Sequence, residues 1–576
     1  MADPLIIASD RLAPAFRAVA GPGAGDVDPI VRPSERADAQ ANGVLGLAKQ
    51  LGRPPRDVAA DVVAAAQPLD DLGVIEIAGA GFLNITFSDA FLGAALAAVS
   101  ADDRLGVRPV PQAETVVVDY SAPNVAKEMH VGHLRTTVIG DALVRLMTFV
   151  GHRVVKENHI GDWGTPFGML IEHLADLGAS SDLEIRDLDG FYRDARVKFD
   201  ASDEFKVRAR NRVVLLQSDD PETMQLWRIL VAQSTKHFNE VYRKLGVLLT
   251  DDDLAAESMY HPLLPGVLDR LEAAGLLEQS DGADVVFPPG YTNREGEPLP
   301  LIVRKSDGGF NYATSDLACV LDRVERVGAT LMLYVVGAPQ SLHLQMVWKV
   351  AEMAGWMVPP ARAVHVSFGN VLGPDKKMLK SRSGDPMKFV ELLDEAVERA
   401  AAAVASKNPE LREADRADVA EMIGIGAVKY ADLSTDRIKD YVFDWDRMLS
   451  FDGNTAPYLQ YAHARICSIF RRAAIDRSSV RAVTPTIAEP QEHALALRIL
   501  GFDAAVWSTI DTYSPHKLCS FLFDLAQDFT AFYEACPVLK ALDEATRSSR
   551  LALADLTARV FEQGLDLLGI RAPEQM

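Results

Sequence analysis

The stretch TVVVDYSAPNVAKEMHVGHLRTTVIGDALVRLMTFV, residues 115–150, decides the predicted fold. It begins with a short β-branched run, which is typical of a strand buried in a parallel sheet. A polar loop follows, and from Ile139 to Val150 apolar residues recur at helical spacing, which predicts a helix beginning near His133. The next segment, HRVVKENHI at 152–160, has the pattern of a second strand. This alternation predicts an α/β, doubly wound parallel sheet.

The flanking sequence divides the chain into further units. Residues 1–105 combine Ala-rich helical stretches with a mixed segment, which predicts an N-terminal α+β domain. The sheet domain covers 106–386. Within it, an insertion at about 185–295 interrupts the alternation of strands and helices. We expect βαβ units to resume at PLPLIVRKSDG, residues 298–308, with later strands at LMLYVV and AVHVSFGNVLG.

Helical periodicity dominates the remainder of the chain. Residues 387–454 predict a helical junction, and residues 455–576 predict an all-α C-terminal domain. The segment GNTAPYLQYAHARI opens one of these helices, with Asn454 or Thr455 as its N-cap and Pro457 in its first turn.

Composition limits the function classes. The chain has 576 residues, 48% of them hydrophobic, and 59 basic against 81 acidic side chains give a net charge of −22. Disordered, collagen-like and disulfide-scaffold classes are excluded. The acidic balance excludes a uniformly basic nucleic-acid binder but permits local basic tracks.

The chain shows no signal for a membrane or for a structural metal. The beginning, MADPLIIASD, lacks the features of a signal peptide, and no long uncharged apolar run occurs, so we expect a cytoplasmic protein without membrane contact. The four cysteines never form a C-x-x-C pair, so we expect buried thiols and no protein-held metal.

The motif His130-Val131-Gly132-His133 lies between the first strand and its helix. Two imidazoles beside a helix N-terminus, separated by a glycine that permits close approach, can bind phosphate. The alternative is a pair of surface histidines at a helix start, which an isolated H-x-G-H does not exclude.

A second motif, Lys377-Met378-Leu379-Lys380-Ser381, follows a late strand of the same domain. A loop of this composition can close over a triphosphate and place an ammonium on the charge that develops as pyrophosphate leaves. Taken alone, it could equally be a solvated basic loop.

Together, the two motifs form the paired signature of class I aminoacyl-tRNA synthetases. The stretches SAPNVAKEMHVGHLRTTVIGD, NHIGDWGTPFGMLI, PLIVRKSDGGFNYATSDLA and DYVFDWDRMLSFDGNTAPYLQYAHARI make the chain resemble arginyl-tRNA synthetases over nearly its whole length. The resemblance implies a Rossmann-type catalytic domain that makes arginyl-adenylate from L-arginine and ATP and then charges tRNA(Arg), with Mg²⁺ arriving with ATP. We expect a monomer.

The resemblance also implies roles for individual residues. ATP would be bound by His130, Gly132, His133, His343 and Lys380, and the residues supporting catalysis would be His130, His133, Lys377 and Lys380. Arginine would be bound by Asn124, Asn158, Tyr312, Asp316 and Gln340. Residues 1–105 would contact the outer corner of the tRNA, 387–454 its stem and 455–576 its anticodon, through Tyr458, Tyr461 and Arg465.

Some assignments remain open at this stage. Asp316 could instead be a first-turn carboxylate of a helix capped by Thr314, and Tyr458 and Tyr461 could pack in the helical core. Arg153 stands where several relatives carry an acid. Either Glu157 replaces that acid, or the pocket relies on Asp316 and Tyr312 alone.

Two other functions are also open. The first is a paralogue that uses the same adenylate chemistry on another amino acid or acceptor. The second is a tRNA-binding regulator without catalysis, which the intact motif residues His130, His133 and Lys380 disfavour.

Overall fold

A computed structural model describes residues 3–22, 27–66, 68–69, 71–178, 185, 187–377, 379, 387–408 and 411–576. It confirms the predicted fold class, a doubly wound parallel sheet between an N-terminal α+β unit and C-terminal helices.

The N-terminal unit packs four helices on an antiparallel sheet whose strand order is β1-β2-β4-β3. Its elements are α1 (Pro4–Ala20), β1 (Val31–Pro33), β2 (Ala39–Ala41), α2 (Gly43–Leu51), α3 (Pro55–Ala66), β3 (Gly73–Ala78), β4 (Phe82–Phe87) and α4 (Asp89–Ser100).

The predicted strand and helix of the first βαβ unit are both present. They are β5 (Thr115–Asp119) and α5 (Leu134–Phe149), followed by β6 (Arg153–Glu157) and α6 (Thr165–Asp176). The insertion then contributes α7 (Leu188–Ala201), α8 (Asp203–Gln217), α9 (Pro221–Leu245), α10 (Glu257–Tyr260) and α11 (Leu264–Ala273).

One strand prediction is wrong. The segment PLPLIVRKSDG does not join the parallel sheet; its strand pairs antiparallel in a separate three-stranded sheet. That sheet contains β7 (Glu278–Ser280), β8 (Ala283–Val286) and β9 (Leu301–Arg304). The alternating burial of Leu301–Arg304 fits a sheet with one face exposed, whereas β5 and the strand Leu331–Tyr334 of the parallel sheet are buried almost throughout.

The parallel sheet is completed by elements after the insertion. They are α12 (Tyr312–Glu325), β10 (Leu331–Tyr334), α13 (Ser341–Met353) and β11 (Arg362–His365). A further strand, β12 (Val371–Leu372), pairs outside this sheet. The sheet order is β11-β10-β5-β6 with every pair parallel, so the winding direction reverses between β5 and β10. In such sheets ligands bind beyond the carboxyl ends of the strands at this reversal.

Strand β5 separates two hydrophobic cores because its side chains alternate. Val116 and Val118 pack in one core with Val138 of α5, whereas Val117 packs in the other with Leu317 of α12. The sheet is thereby fixed between helices on both faces.

The C-terminal part is helical, as predicted. Its elements are α14 (Phe389–Lys407), α15 (Glu413–Leu433), β13 (Tyr441–Val442), α16 (Trp445–Met448), α17 (Ala456–Ala473), α18 (Pro490–Leu500), α19 (Phe502–Thr512), α20 (His516–Ala535) and α21 (Glu544–Leu567). Thr455 is the N-cap of α17, and Pro457 lies in its first turn, as expected. In the part of the chain that the structure describes, no helix is long and apolar enough to cross a membrane.

Candidate active site

The two histidines of the HVGH motif lie together at the start of α5. Their ring centroids are 4.2 Å apart, and both belong to a short 3₁₀ turn. The Nδ1 atom of His130 accepts the Gly132 N–H at 3.0 Å, and that of His133 accepts the His130 N–H at 3.2 Å. Because each Nδ1 accepts, each Nε2 carries the proton and can donate to a phosphate oxygen.

Both imidazoles are held in their neutral form. Burial lowers the pKa of His130, and burial together with the His130 ring lowers the pKa of His133 to about 4. At neutral pH the pair therefore offers two N–H donors without paired positive charge.

Gly132 is required by the motif's own geometry. A Cβ at this position would lie 2.6 Å from Cε1 of the His130 ring, too close for any side chain without moving that ring. The glycine therefore lets the His130 imidazole fold back over the turn.

The lysine loop is anchored beside the histidine motif. Lys377 is exposed, and its N–H donates to Asp375 at 3.1 Å. Lys380 lies outside the described residues. Where the chain is described again, the Val131 N–H donates to the Met387 carbonyl at 3.1 Å, so the end of the loop returns to the HVGH turn.

A cavity of about 440 Å³ opens at the carboxyl ends of the central strands. Four of the predicted substrate residues line it: Tyr312, Asp316, Gln340 and His343. The ends of β5 and β10, Asp119 and Tyr334, also line it, so the cavity lies at the reversal point of the sheet.

Asp316 is fixed within this cavity by a histidine. His343 Nε2 lies 2.5 Å from Asp316 Oδ2, and the His343 ring packs 4.7 Å from the ring of Tyr312. The predicted ATP residue His343 thus lies with the predicted arginine residues. The expected cap is wrong: Asn311, not Thr314, caps α12, and Asp316 lies beyond the first turn, so a first-turn role does not explain this carboxylate.

Two acids and one histidine of the cavity were not predicted: Asp119, Glu257 and His159. Burial, with the neighbouring carboxylates of Asp162 and Asp316, raises the pKa of Glu257 to about 7. Asp119 could have been found from its position at the end of a buried strand. Glu257 follows an acidic loop in the insertion, and no pattern there distinguishes it.

The two predicted asparagines differ. Asn124 is exposed beside Gly161, where an added Cβ would lie 2.4 Å from the Asn124 Oδ1 atom. Asn158 is buried and engaged: its Oδ1 accepts the Ala122 N–H, and its Nδ2 donates to the Tyr242 hydroxyl, both at 3.0 Å. Its amide shapes the loop after β5.

The structure also settles the position of Arg153. This residue begins β6 opposite Thr115, at the amino edge of the sheet and away from the cavity. Glu157 does not replace an acid there, because Arg323 is buried and donates to both Glu157 and Asp119 at 2.7 Å. Glu157 does not line the cavity, whereas the carboxylates of Asp119, Glu257 and Asp316 do.

The predicted tRNA residues lie on α17. Tyr461 is 48% exposed, whereas Tyr458 is partly buried with its ring 5.7 Å from that of Phe523. The Arg465 guanidinium stacks 4.2 Å over Tyr533. Tyr461 is therefore the more accessible of the two rings.

Comparison with known proteins agrees with this geometry. The family model for the catalytic domain of class I tRNA synthetases (R) matches residues 95–445, the DALR anticodon binding domain matches 459–576, and the arginyl tRNA synthetase N terminal domain matches 8–87. The arginine–tRNA ligase of Thermobifida fusca is 54% identical over the full length of both chains. The chain belongs to the arginyl-tRNA synthetase family.

Solved structures show the same architecture. The arginyl-tRNA synthetases of Plasmodium falciparum and Thermus thermophilus superpose with TM-scores of 0.84 and 0.82, at 26% and 27% identity, over 99% of this chain. As a member of this family, the chain is an ATP-dependent arginine–tRNA ligase.

Proposed function

We propose that this synthetase forms arginyl-adenylate in the cavity at the carboxyl ends of β5 and β10 and transfers the arginyl group to tRNA(Arg) for protein synthesis. One observation carries the assignment of the cavity: the carboxylates of Asp316 and Glu257 line it at the end of the sheet that also bears the HVGH turn. The first step joins the arginine carboxylate to the α-phosphorus of ATP and releases pyrophosphate.

The histidine pair acts on the phosphates. The Nε2–H groups of His130 and His133 donate to phosphate oxygens and stabilise the charge of the pentavalent transition state. Gly132 keeps the turn compact enough for this contact. Neither imidazole needs to transfer a proton, because the carboxylate of arginine is already the nucleophile.

The lysine loop acts on the leaving group. Lys380 neutralises the departing pyrophosphate, and Lys377 assists it. Lys380 precedes Met387 by seven positions, and a chain of that length spans at most about 25 Å. Met387, the described end of that segment, is attached to the HVGH turn, which supports this role. Mg²⁺ enters with ATP and is held mainly by phosphate oxygens.

Specificity for arginine comes from two acids facing one planar cation. A guanidinium can form bidentate hydrogen bonds with carboxylates, which an ammonium cannot match. Asp316 supplies one carboxylate and Glu257 the second, and His343 positions Asp316 through its 2.5 Å contact in addition to any contact with ATP. Tyr312, Asn124 and Gln340 bind the rest of the substrate, while Asn158 acts through the loop that it braces.

The remaining units hold the tRNA. Residues 455–576 bind the anticodon loop, with Tyr461 stacking on an unpaired base and Arg465 contacting phosphate beside Tyr458. Residues 387–454 contact the stem, and residues 1–105 contact the outer corner of the tRNA. We assign the protein to the cytoplasm as a monomer.

A charging assay tests the proposal. The protein is incubated with ATP, bulk tRNA and each amino acid in turn, and arginine alone should give charged tRNA. Charging with another amino acid would support a paralogue, and tRNA binding without charging would support a regulator.

A variant tests the pocket directly. Asp316→Ala should raise the KM for arginine about 10- to 100-fold, because a charge-assisted hydrogen bond is lost, and should leave the KM for ATP nearly unchanged. Asp322→Asn is the matched control on the same helix, since Asp322 pairs with Arg326 and does not line the cavity. An unchanged KM for arginine in Asp316→Ala would remove Asp316 from the pocket.

A further inference from the structure

Three side chains of the types that ligate metals lie together in the C-terminal helical part, apart from the active-site cavity. His463 and Cys467 are one turn apart on α17, and Glu562 faces them from α21. One ligand atom from each lies within 4.8 Å of the others. We call these three residues the C-terminal cluster.

We propose that the C-terminal cluster binds a single Zn²⁺ ion through His463 Nε2, Cys467 Sγ and a Glu562 carboxylate oxygen. Imidazole, thiolate and carboxylate are the ligands that Zn²⁺ takes in proteins, and three of them with a water complete a tetrahedral site. The sequence pattern H-x-x-x-C on a helix escapes a search for C-x-x-C pairs.

The His463–Cys467 distance is that of a zinc site, whereas the His463–Glu562 distance is shorter. Typical Zn–N and Zn–S bonds in a tetrahedron place the two ligand atoms about 3.6 Å apart, and the His463 Nε2–Cys467 Sγ distance is 3.6 Å. The Nε2–Glu562 Oε1 distance is 2.8 Å, so the carboxylate would need to withdraw by roughly half an ångström.

The surroundings orient the imidazole for this role. His463 is almost fully buried, and its Nδ1 lies 2.9 Å from the Pro573 carbonyl, to which it donates. A hydrogen bond of this kind on the distal nitrogen fixes the ring and leaves Nε2 as the ligand. The contact also ties the C-terminal segment to α17.

A cation already occupies part of the cluster. The Arg477 Nη1 atom lies 2.6 Å from Glu562 Oε1 and 3.9 Å from Cys467 Sγ. The Arg477 Nε atom separately donates to Asp555 at 2.8 Å, so the guanidinium can release Glu562 and remain paired. Cys467 and Arg477 also line a surface cavity of about 340 Å³, which provides an entry path for the ion and its water.

Binding conserves the charge of the ligand set. Without the ion, His463 carries a proton on each ring nitrogen, one directed at the Pro573 carbonyl and one at Glu562. When Zn²⁺ forms bonds to Nε2, Sγ and a Glu562 oxygen, the Nε2–H bond and the thiol S–H bond break. Two protons pass to solvent as two positive charges enter. Because the total charge of the ligand set does not change, Arg477 has to move away from Glu562 but stays at the site.

Cobalt provides a spectroscopic test on the full-length, untagged protein. After treatment with a chelator, the protein is titrated with Co²⁺, which should produce a thiolate-to-cobalt charge-transfer band that saturates at one ion per chain. Excess Zn²⁺ should remove the band. Absence of the band would overturn the proposal.

Variants assign the ligands. Cys467→Ser should abolish the charge-transfer band, and His463→Gln should weaken Zn²⁺ binding by at least about 100-fold, because loss of a direct ligand costs more than loss of an outer partner. Cys536→Ala is the control, because Cys536 is a buried thiol outside the cluster. A band that persists in Cys467→Ser but disappears in Cys536→Ala would contradict the site.

The variant Arg477→Met tests whether the guanidinium competes with Zn²⁺ for Glu562. With the guanidinium removed, Zn²⁺ should bind at least as tightly as in the unchanged protein, since no cation has to be displaced from Glu562. Loss of Zn²⁺ binding in a folded Arg477→Met protein, judged by its circular dichroism, would count against the proposed ligand set.

Discussion

Histidine side chains have opposite surroundings in two parts of the molecule. One is the HVGH turn of the sheet domain, and the other is the contact between the N-terminal unit and the C-terminal helices. At the HVGH turn, burial and the neighbouring imidazole lower the pKa of His133 to about 4. On α18, the carboxylate of Asp38 raises the pKa of His493; burial opposes this effect, and Asp89 adds to it. His493 Nε2 and Nδ1 lie 3.0 and 3.1 Å from these two carboxylates.

The difference shows how surroundings select the charge that each site needs. Because both imidazoles of the HVGH turn are neutral, their rings can lie 4.2 Å apart and face a triphosphate together without repelling each other. His493 instead lies between two carboxylates that favour its protonated form, and it joins the residue before β2 and the first residue of α4 to the C-terminal helices. The same side chain serves as a donor in one place and as an ionic link in the other.

The largest expected effect comes from removing a donor at the HVGH turn. His133→Asn should lower kcat for ATP–pyrophosphate exchange by roughly 10²- to 10³-fold, the usual loss when a transition-state donor is removed. His493→Gln should leave this rate unchanged and is the matched histidine control. Equal losses in the two variants would break the comparison, because they would indicate a common effect on folding.

The effect of intermediate size is a pH dependence of the KM for arginine, which we expect to come from Glu257 and not from the histidine pair. With a pKa of about 7, Glu257 gains a proton as the pH falls from 8 to 6, whereas His133 stays neutral. The KM for arginine should therefore rise below about pH 7, by up to about tenfold per pH unit. Measured KM values across this range should keep that slope in the unchanged protein and lose it in Glu257→Gln. A slope that persists in Glu257→Gln would assign the titration to another group.

The sequence was sufficient where local pattern and position determine structure. The β-branched run before the HVGH motif predicted β5, the helical spacing predicted α5, and the resemblance to arginyl-tRNA synthetases implied four of the residues that line the cavity. Chain direction alone tells which end of a strand is its carboxyl end. The sequence could therefore also have predicted Asp119 as a cavity residue.

Other features depend on long-range packing, which no local pattern reveals. Glu257 reaches the cavity from the insertion, far along the chain from Asp316. Arg153 and Glu157 are four residues apart, yet they lie at opposite ends of β6. Glu157 is at the carboxyl end, where the buried Arg323 donates to its carboxylate. Asn158 has the residue type of a substrate ligand, but its partners Ala122 and Tyr242 engage both ends of its amide.

The smallest expected effect tests the other half of the comparison. The raised pKa of His493 means that its contribution to stability is complete below about pH 6.5 and is lost as the pH rises through its folded-state pKa. His493→Gln should therefore lower the midpoint of the first urea transition at pH 6 by a few tenths molar, equivalent to roughly 0.5–1 kcal/mol for a partly exposed ion pair. The difference in urea midpoint should shrink as the pH is raised from 6 to 9. A deficit that is equal at both pH values would mean that His493 links the two units through shape and hydrogen bonding alone, and the contrast with the HVGH pair would no longer be one of charge.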